Sequence, residues 1–249
     1  MVEFHPKIQN LEESGVATLS GIVAEGTGDY YARRLNAARL EEVYRTRLSR
    51  VRQYLEAEIA FARGFLSGRE RVLELGAGYG RIMRELAPFS TSILGVELSE
   101  DSAAFGKEYL KDVPNAELRV MDAHQIGFAP EFDLVLCLQN GLSAMKGDPM
   151  NLVRRALSVL RPGGRAVFSS YSPKFWAHRL AWFREQAEKG LLGEIDEERT
   201  GDGIIVCADG FLATTFSAAD LRALGEAAGC AFRLEEVDES SVFLVAGGS

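Results

Sequence analysis

Arg71-Val72-Leu73-Glu74-Leu75-Gly76-Ala77-Gly78-Tyr79-Gly80 constrains this chain more than any other stretch. Val72, Leu73 and Leu75 suit a buried strand, Glu74 interrupts the apolar run, and Arg81 to Leu86 reads as the helix that follows. A strand that turns into a helix through spaced glycines leaves backbone N–H groups and a helix N-terminus facing a crevice, with no side chains to hold a ligand off. This is a nucleotide-type site. The dinucleotide fingerprint needs a third glycine where Arg81 stands, so that fingerprint fails.

The rest of the chain supports an α/β sheet. Strand-like runs recur at Thr91–Leu98, Ala116–Met121, Phe132–Leu138 and Arg165–Ser170, separated by helical or turn segments, which predicts a doubly wound, mostly parallel sheet. Two further strands, Ala231–Val237 and Ser241–Ala246, are joined by a tight acidic turn and are expected to be antiparallel. Pro173–Leu192 reads as an amphipathic helix, followed by an inserted β-hairpin around Ala208-Asp209-Gly210. From Asp29 to about Leu66, apolar residues at steps of three and four predict a helix, with eight arginines between Arg33 and Arg63 on its remainder. Residues 1–26 carry no periodicity and read as a loosely structured arm. The expected division is an N-terminal arm and helical cap over 1–66, then a ligand-binding domain over 67–249 with a substrate-side insertion at about 173–216.

The pattern Glu-x-Gly-x-Gly-x-Gly at 74–80 resembles motif I of the class I S-adenosylmethionine-dependent methyltransferases. Four more landmarks of that family follow: Glu97, Asp122-Ala123, Cys137-Leu138-Gln139-Asn140-Gly141, and Leu160-Arg161-Pro162-Gly163-Gly164-Arg165. The resemblance covers residues 71–171 and implies a seven-stranded sheet in the order 3-2-1-4-5-7-6. It implies S-adenosyl-L-methionine as cofactor, lying on Gly76, Ala77, Gly78 and Gly80. A carboxylate at Glu97 can accept both ribose hydroxyl protons, with Leu98 beside it. Asp122 and Ala123 are placed to meet the adenine, although a turn cap is the plainer role for Asp122. Glu74 would hold the methionine amine, or pair with an arginine of the N-terminal helix. Leu138 and Gln139 end strand four. Tyr30 and Arg34, in a segment that the family often uses as a lid, could touch the methionine carboxylate.

Methyl transfer asks the protein for alignment, desolvation and, for weakly acidic acceptors, a base. Asn140 is the foremost candidate beside the methyl group, through its carbonyl oxygens, and Tyr31 is a second catalytic candidate; Asn140 could equally be a turn residue in a left-handed conformation beside Gly141. The strand-four end lacks the Asn/Asp-Pro-Pro-aromatic motif of base-modifying enzymes, and no acidic metal cluster stands near it. Locally it looks most like the glycine and sarcosine N-methyltransferases. The expectation is a small-molecule methyltransferase acting on nitrogen or oxygen. The competing readings are a nicotinamide oxidoreductase, a transferase moving another part of the same cofactor, and a non-catalytic binding protein.

Composition narrows the partners. A formal charge of −8 over 249 residues argues against nonspecific nucleic-acid binding. No apolar run reaches the ~18 residues of a membrane span. Three scattered cysteines and the absence of a signal-like start fit a reducing, cytoplasmic setting. No Cys or His pair has metal-ligand spacing, so no metal is expected. The partner expected is a small-molecule substrate, and the chain could pair with a second copy as a homodimer.

Overall fold

The computed structural model describes residues 30–248. The expected arm over residues 1–26, and Gly28 and Asp29, lie outside the described residues. Seven strands form the central sheet: β1 (Arg71–Leu75), β2 (Ser92–Glu97), β3 (Ala116–Val120), β4 (Phe132–Cys137), β5 (Leu160–Tyr171), and the last two, β8 (Phe232–Val237) and β9 (Ser241–Gly247). Their order is β3-β2-β1-β4-β5-β9-β8. Counted within the sheet, this is the expected 3-2-1-4-5-7-6. β1 to β5 pair in parallel, while β9 runs antiparallel to both β5 and β8.

Alternation along the strands sets the layers. Leu73, Val135, Phe168 and Leu244 face one apolar cluster, completed by Leu142 of α6 (Gly141–Ala144), α7 (Pro149–Ser158) and α9 (Ala218–Ala228). Val72, Leu134, Val167 and Phe243 face the other, which takes in residues of α3 (Ser49–Arg63), α4 (Arg81–Leu86) and α5 (Glu100–Tyr109). With helices on both faces, period-two strands lose the polar side that a half-solvated sheet would show.

The stretch read as one helix from Asp29 to Leu66 is three: α1 (Tyr30–Arg33), α2 (Ala37–Tyr44) and α3. Tertiary hydrogen bonds hold the breaks. The Ala37 N–H donates to Ser102 Oγ at 3.0 Å, and the Arg47 N–H to Glu185 Oε1 at 2.9 Å, with Thr46 Oγ1 bonded to the same carboxylate. The helix expected over 173–192 starts as a 3₁₀ turn, Pro173–Phe175, and continues as α8 (Trp176–Glu188). The hairpin signal gives a two-stranded ribbon, β6 (Ile205–Val206) paired with β7 (Leu212–Ala213).

These peripheral parts share a third apolar cluster. Leu35, Val43, Val51, Tyr54 and Leu55 from the N-terminal helices pack with Phe175, Trp182, Phe183, Ile205, Phe211 and Ala213 from the insertion. The cap is therefore composite, and it lies across the carboxyl-end side of the sheet, where its residues line the cavity described next. Among the described residues, no helix is long and apolar enough to cross a membrane.

Candidate active site

The β1 tip and its glycine turn open into a cavity lined by Glu74, Gly76, Ala77, Gly78, Arg81, Glu97, Leu98, Asp122, Ala123, Leu138 and Gln139. The carboxyl ends of β1, β2, β3 and β4 thus converge on one site, as a parallel sheet requires. Leu40 and Tyr44 from α2 and Trp182 and Phe183 from α8 close it on the cap side.

Gly78 sits at φ +56°, and a Cβ there would come within 2.9 Å of Leu40 Cδ2 on the cap. Its N–H donates to Glu97 Oε2 at 2.9 Å, and the Ser99 N–H donates to Glu97 Oε1 at 2.8 Å. The carboxylate thus keeps acceptor capacity beyond these bonds. Burial raises the Glu97 carboxyl above the ordinary range, and the backbone N–H groups of Ser99, Gly78 and Leu98 oppose that shift. Asp122 caps the turn that follows β3: its oxygens accept from the His124 N–H and from Gln125 Nε2, both at 2.8 Å. The plainer role is realised, and the residue still lines the cavity.

Glu74 is 3 % exposed, and its Oε2 has no hydrogen-bond partner. Burial pushes its carboxyl up to about 8, against the opposing pull of Arg81. Arg81 lies with its guanidinium 4.5 Å from the Tyr44 ring centroid, and its Nε and Nη2 are buried without partners. Gln139 Nε2 is a further buried donor left open. Buried polar atoms are nearly always paired, so several orphans around one cavity mark a place where a ligand completes them. An unpaired carboxylate and an unpaired guanidinium suit the ammonium and carboxylate of a methionine moiety. On these groups and the bare Gly76–Gly78 turn, the site fits S-adenosylmethionine.

Several expected residues are not where the sequence reading put them. Arg34 is 61 % exposed on its side chain and lies 3.9 Å from Asp209, to which the Tyr30 hydroxyl also donates at 2.5 Å. Both tyrosines of α1 stack edge-on against Phe211, and of the pair only Tyr31 reaches the cavity. The electrostatic partner of Glu74 is Arg81, not an arginine of the N-terminal helices. Gly80 does not line the cavity; at φ +85° it starts α4, and a Cβ would meet Leu110 Cδ1 at 2.6 Å. Asn140 is a left-handed residue at φ +61° whose amide is bonded at both ends, Nδ2 donating to Thr214 O at 2.7 Å and Oδ1 accepting from Ser170 Oγ at 3.0 Å. These bonds brace the loop after β4, the turn role that the sequence also allowed. The Tyr31 phenol is pushed well above its ordinary value by burial, so it stays protonated and can donate but not act as a base.

Other site residues escaped the sequence reading. Arg81 counted there only as a missing glycine. Glu58, 1 % exposed on α3, accepts from the Gln139 N–H at 3.2 Å and from Ser241 Oγ at 3.0 Å, and so fixes the loop after β4. Its place at a helix position four residues from Tyr54 and Ala62 is a carboxylate on a buried face, the one signal that marked it.

Comparison with known proteins bears on the domain and the fold. Residues 72–164 match the family model described as a methyltransferase domain. The ubiquinone biosynthesis O-methyltransferase of Aromatoleum aromaticum is 29% identical over 122 residues, covering 47% of this chain and 50% of the relative. The chain spans about half the length of the curated relatives it matches. Among solved structures, a protein from Pyrococcus horikoshii OT3 aligns at TM-score 0.60 and 20% identity, over 89% of this chain and 99% of the other. CalS10, an amino pentose methyltransferase from Micromonospora echinaspora solved with S-adenosylmethionine bound, aligns at 0.58 and 19%, over 83% and 95%. Residues 72–164 thus match a methyltransferase domain, and the fold around them is shared with the S-adenosylmethionine-bound CalS10.

Proposed function

We propose that the protein transfers a methyl group from S-adenosylmethionine to a nitrogen or oxygen of a small-molecule acceptor. The observation that carries this reading is the Glu97 carboxylate, held by Gly78 and Ser99 across the glycine turn with acceptor capacity left over. When bound, the cofactor supplies an electrophilic methyl on a sulfonium, with a neutral thioether as leaving group. Glu97 would accept the ribose hydroxyls, Glu74 the ammonium, and Arg81 would take the carboxylate. Leu35, Leu40, Val43 and Trp182 exclude water from the reacting face, which strengthens every charge interaction beneath them. Tyr31 would donate a hydrogen bond at the acceptor side. The cytoplasm is the setting that suits its buried free thiols, Cys137 and Cys207.

Calorimetry on the full chain tests the site. S-adenosylhomocysteine should bind, and Glu97→Ala should weaken it by roughly 1.5–3 kcal/mol, the worth of hydrogen bonds to a charged group, or about 13-fold to 160-fold. Tighter binding of a nicotinamide dinucleotide than of S-adenosylhomocysteine would overturn the reading. A mass-spectrometric screen for a gain of one methyl on candidate amines, alcohols and phenols then identifies the acceptor class.

A further inference from the structure

A second, smaller chamber opens beside the cofactor cavity. It shares Tyr31, Gln139, Ala144, Tyr171 and Phe183 with that cavity and adds Asn140, Ser143, Lys146, Arg179 and residues of β7. Arg179 stands out. It is 1 % exposed on α8, and its guanidinium lies 4.6 Å from the Tyr171 ring centroid and 5.5 Å from that of Phe183. Nη1 donates to Gly203 O at 2.8 Å and Nη2 to Thr214 O at 3.5 Å, while Nε has no partner.

Among the described residues no carboxylate pairs with Arg179. A buried cation without a counter-charge is costly, and two carbonyls with aromatic faces offset only part of that cost. Anchoring the hairpin does not explain the charge, since two carbonyls would be met as well by a neutral donor. A second cation faces the same space: Lys146 is half-buried, with Nζ 3.4 Å from Leu212 O. None of the residues lining the chamber is an acid. Gln139, at the wall between the two spaces, leaves a buried N–H open.

We propose that this chamber receives an oxyanion, a carboxylate or phosphate, carried by the small molecule that accepts the methyl group. The inference deepens the methyltransferase reading and rests on it for the word acceptor. Arg179 offers a fixed fork with Nε free, and Lys146 adds a compact charge on the wall of the same chamber. Because Tyr31, Gln139, Ala144, Tyr171 and Phe183 line both spaces, an acceptor anchored here would place the rest of its body against the cofactor cavity.

Calorimetry on the full chain, with and without S-adenosylhomocysteine, tests this. The probes are acetate and benzoate, each against its neutral amide, acetamide and benzamide, together with inorganic phosphate. At least one oxyanion should bind the wild type at least tenfold more tightly than the matching amide, or, for phosphate, bind where the amides do not. Arg179→Gln should erase that preference while S-adenosylhomocysteine affinity stays within twofold; Arg179→Lys should keep part of it. If Arg179→Gln does not fold, Lys146→Met takes its place, with at least a threefold loss of preference expected. Equal binding of oxyanions and amides, no oxyanion binding, or a preference that survives the variants overturns the proposal. Failure of S-adenosylhomocysteine to bind while the oxyanion preference persists counts against the methyltransferase reading alone.

Discussion

Cofactor binding should expel a proton from Glu74. Its carboxyl, ordinarily near 4.3, is lifted to about 8 by burial and has one oxygen unpartnered. At pH 7 about nine in ten molecules therefore carry the proton there, and ionising the group costs about 1.4 kcal/mol. An ammonium seated against it favours the charged form and draws the proton off. Calorimetric titration of S-adenosylhomocysteine in buffers of different ionisation enthalpy should report release of about 0.9 proton per site at pH 7 and about 0.1 at pH 9. Glu74→Gln should abolish the release at both. The direction of the shift also fixes a stability effect. A carboxyl raised in the folded state leaves its stabilisation intact below its ordinary range and loses it as pH climbs towards about 8. The unliganded Gln variant should lack that loss in urea melts run between pH 5 and 8. A wild type that releases no proton at pH 7, or a Gln variant that releases as many, would refute the assignment of Glu74 to the amine.

Three other perturbations test the geometry. Arg81→Met should weaken S-adenosylhomocysteine by about 1.5–3 kcal/mol yet leave 5′-methylthioadenosine, which lacks the amino-acid tail, within about twofold by calorimetry. Gly80→Ala forces a Cβ onto Leu110 at a left-handed position and should lower stability by about 1–3 kcal/mol in a urea melt. Asn140→Ala removes two buried hydrogen bonds that tie the loop after β4 to Thr214 and Ser170. It should cost about 2–3 kcal/mol by the same measurement, with a cofactor affinity close to that of the wild type.

What could be read from the chain is what neighbours in sequence decide. Gly76 and Gly78 and the strand tips bearing Glu97 and Asp122 lie within short strand–turn–helix units, so spacing alone placed them on one side of the sheet. The apolar alternation of β1 to β5 likewise needs no distant partner to be legible. What escaped depends on contacts across the fold. The helix pattern running through Tyr44 and Leu48 gives no hint that Glu185, far along the chain, takes the backbone there. Arg34 and Tyr30 belong with Asp209 because the hairpin folds back onto α1. Asn140 fits both a catalytic and a bracing role until Thr214 and Ser170 are known to flank it. Arg179 and Glu58 are charges on buried helix faces, and only the packing around them reveals that one is satisfied and the other is not.

The shared core of the cap has a consequence for how the molecule comes together during synthesis. α2 and α3 emerge before the insertion, but their apolar sides, Val43, Val51 and Leu55, find their partners only when Trp182, Phe183 and Phe211 have left the ribosome. The ledge for the nucleoside can therefore exist before its roof does. For the same reason, exchanging either sequence-distant half of the cap for that of a relative would leave it against a mismatched counterpart.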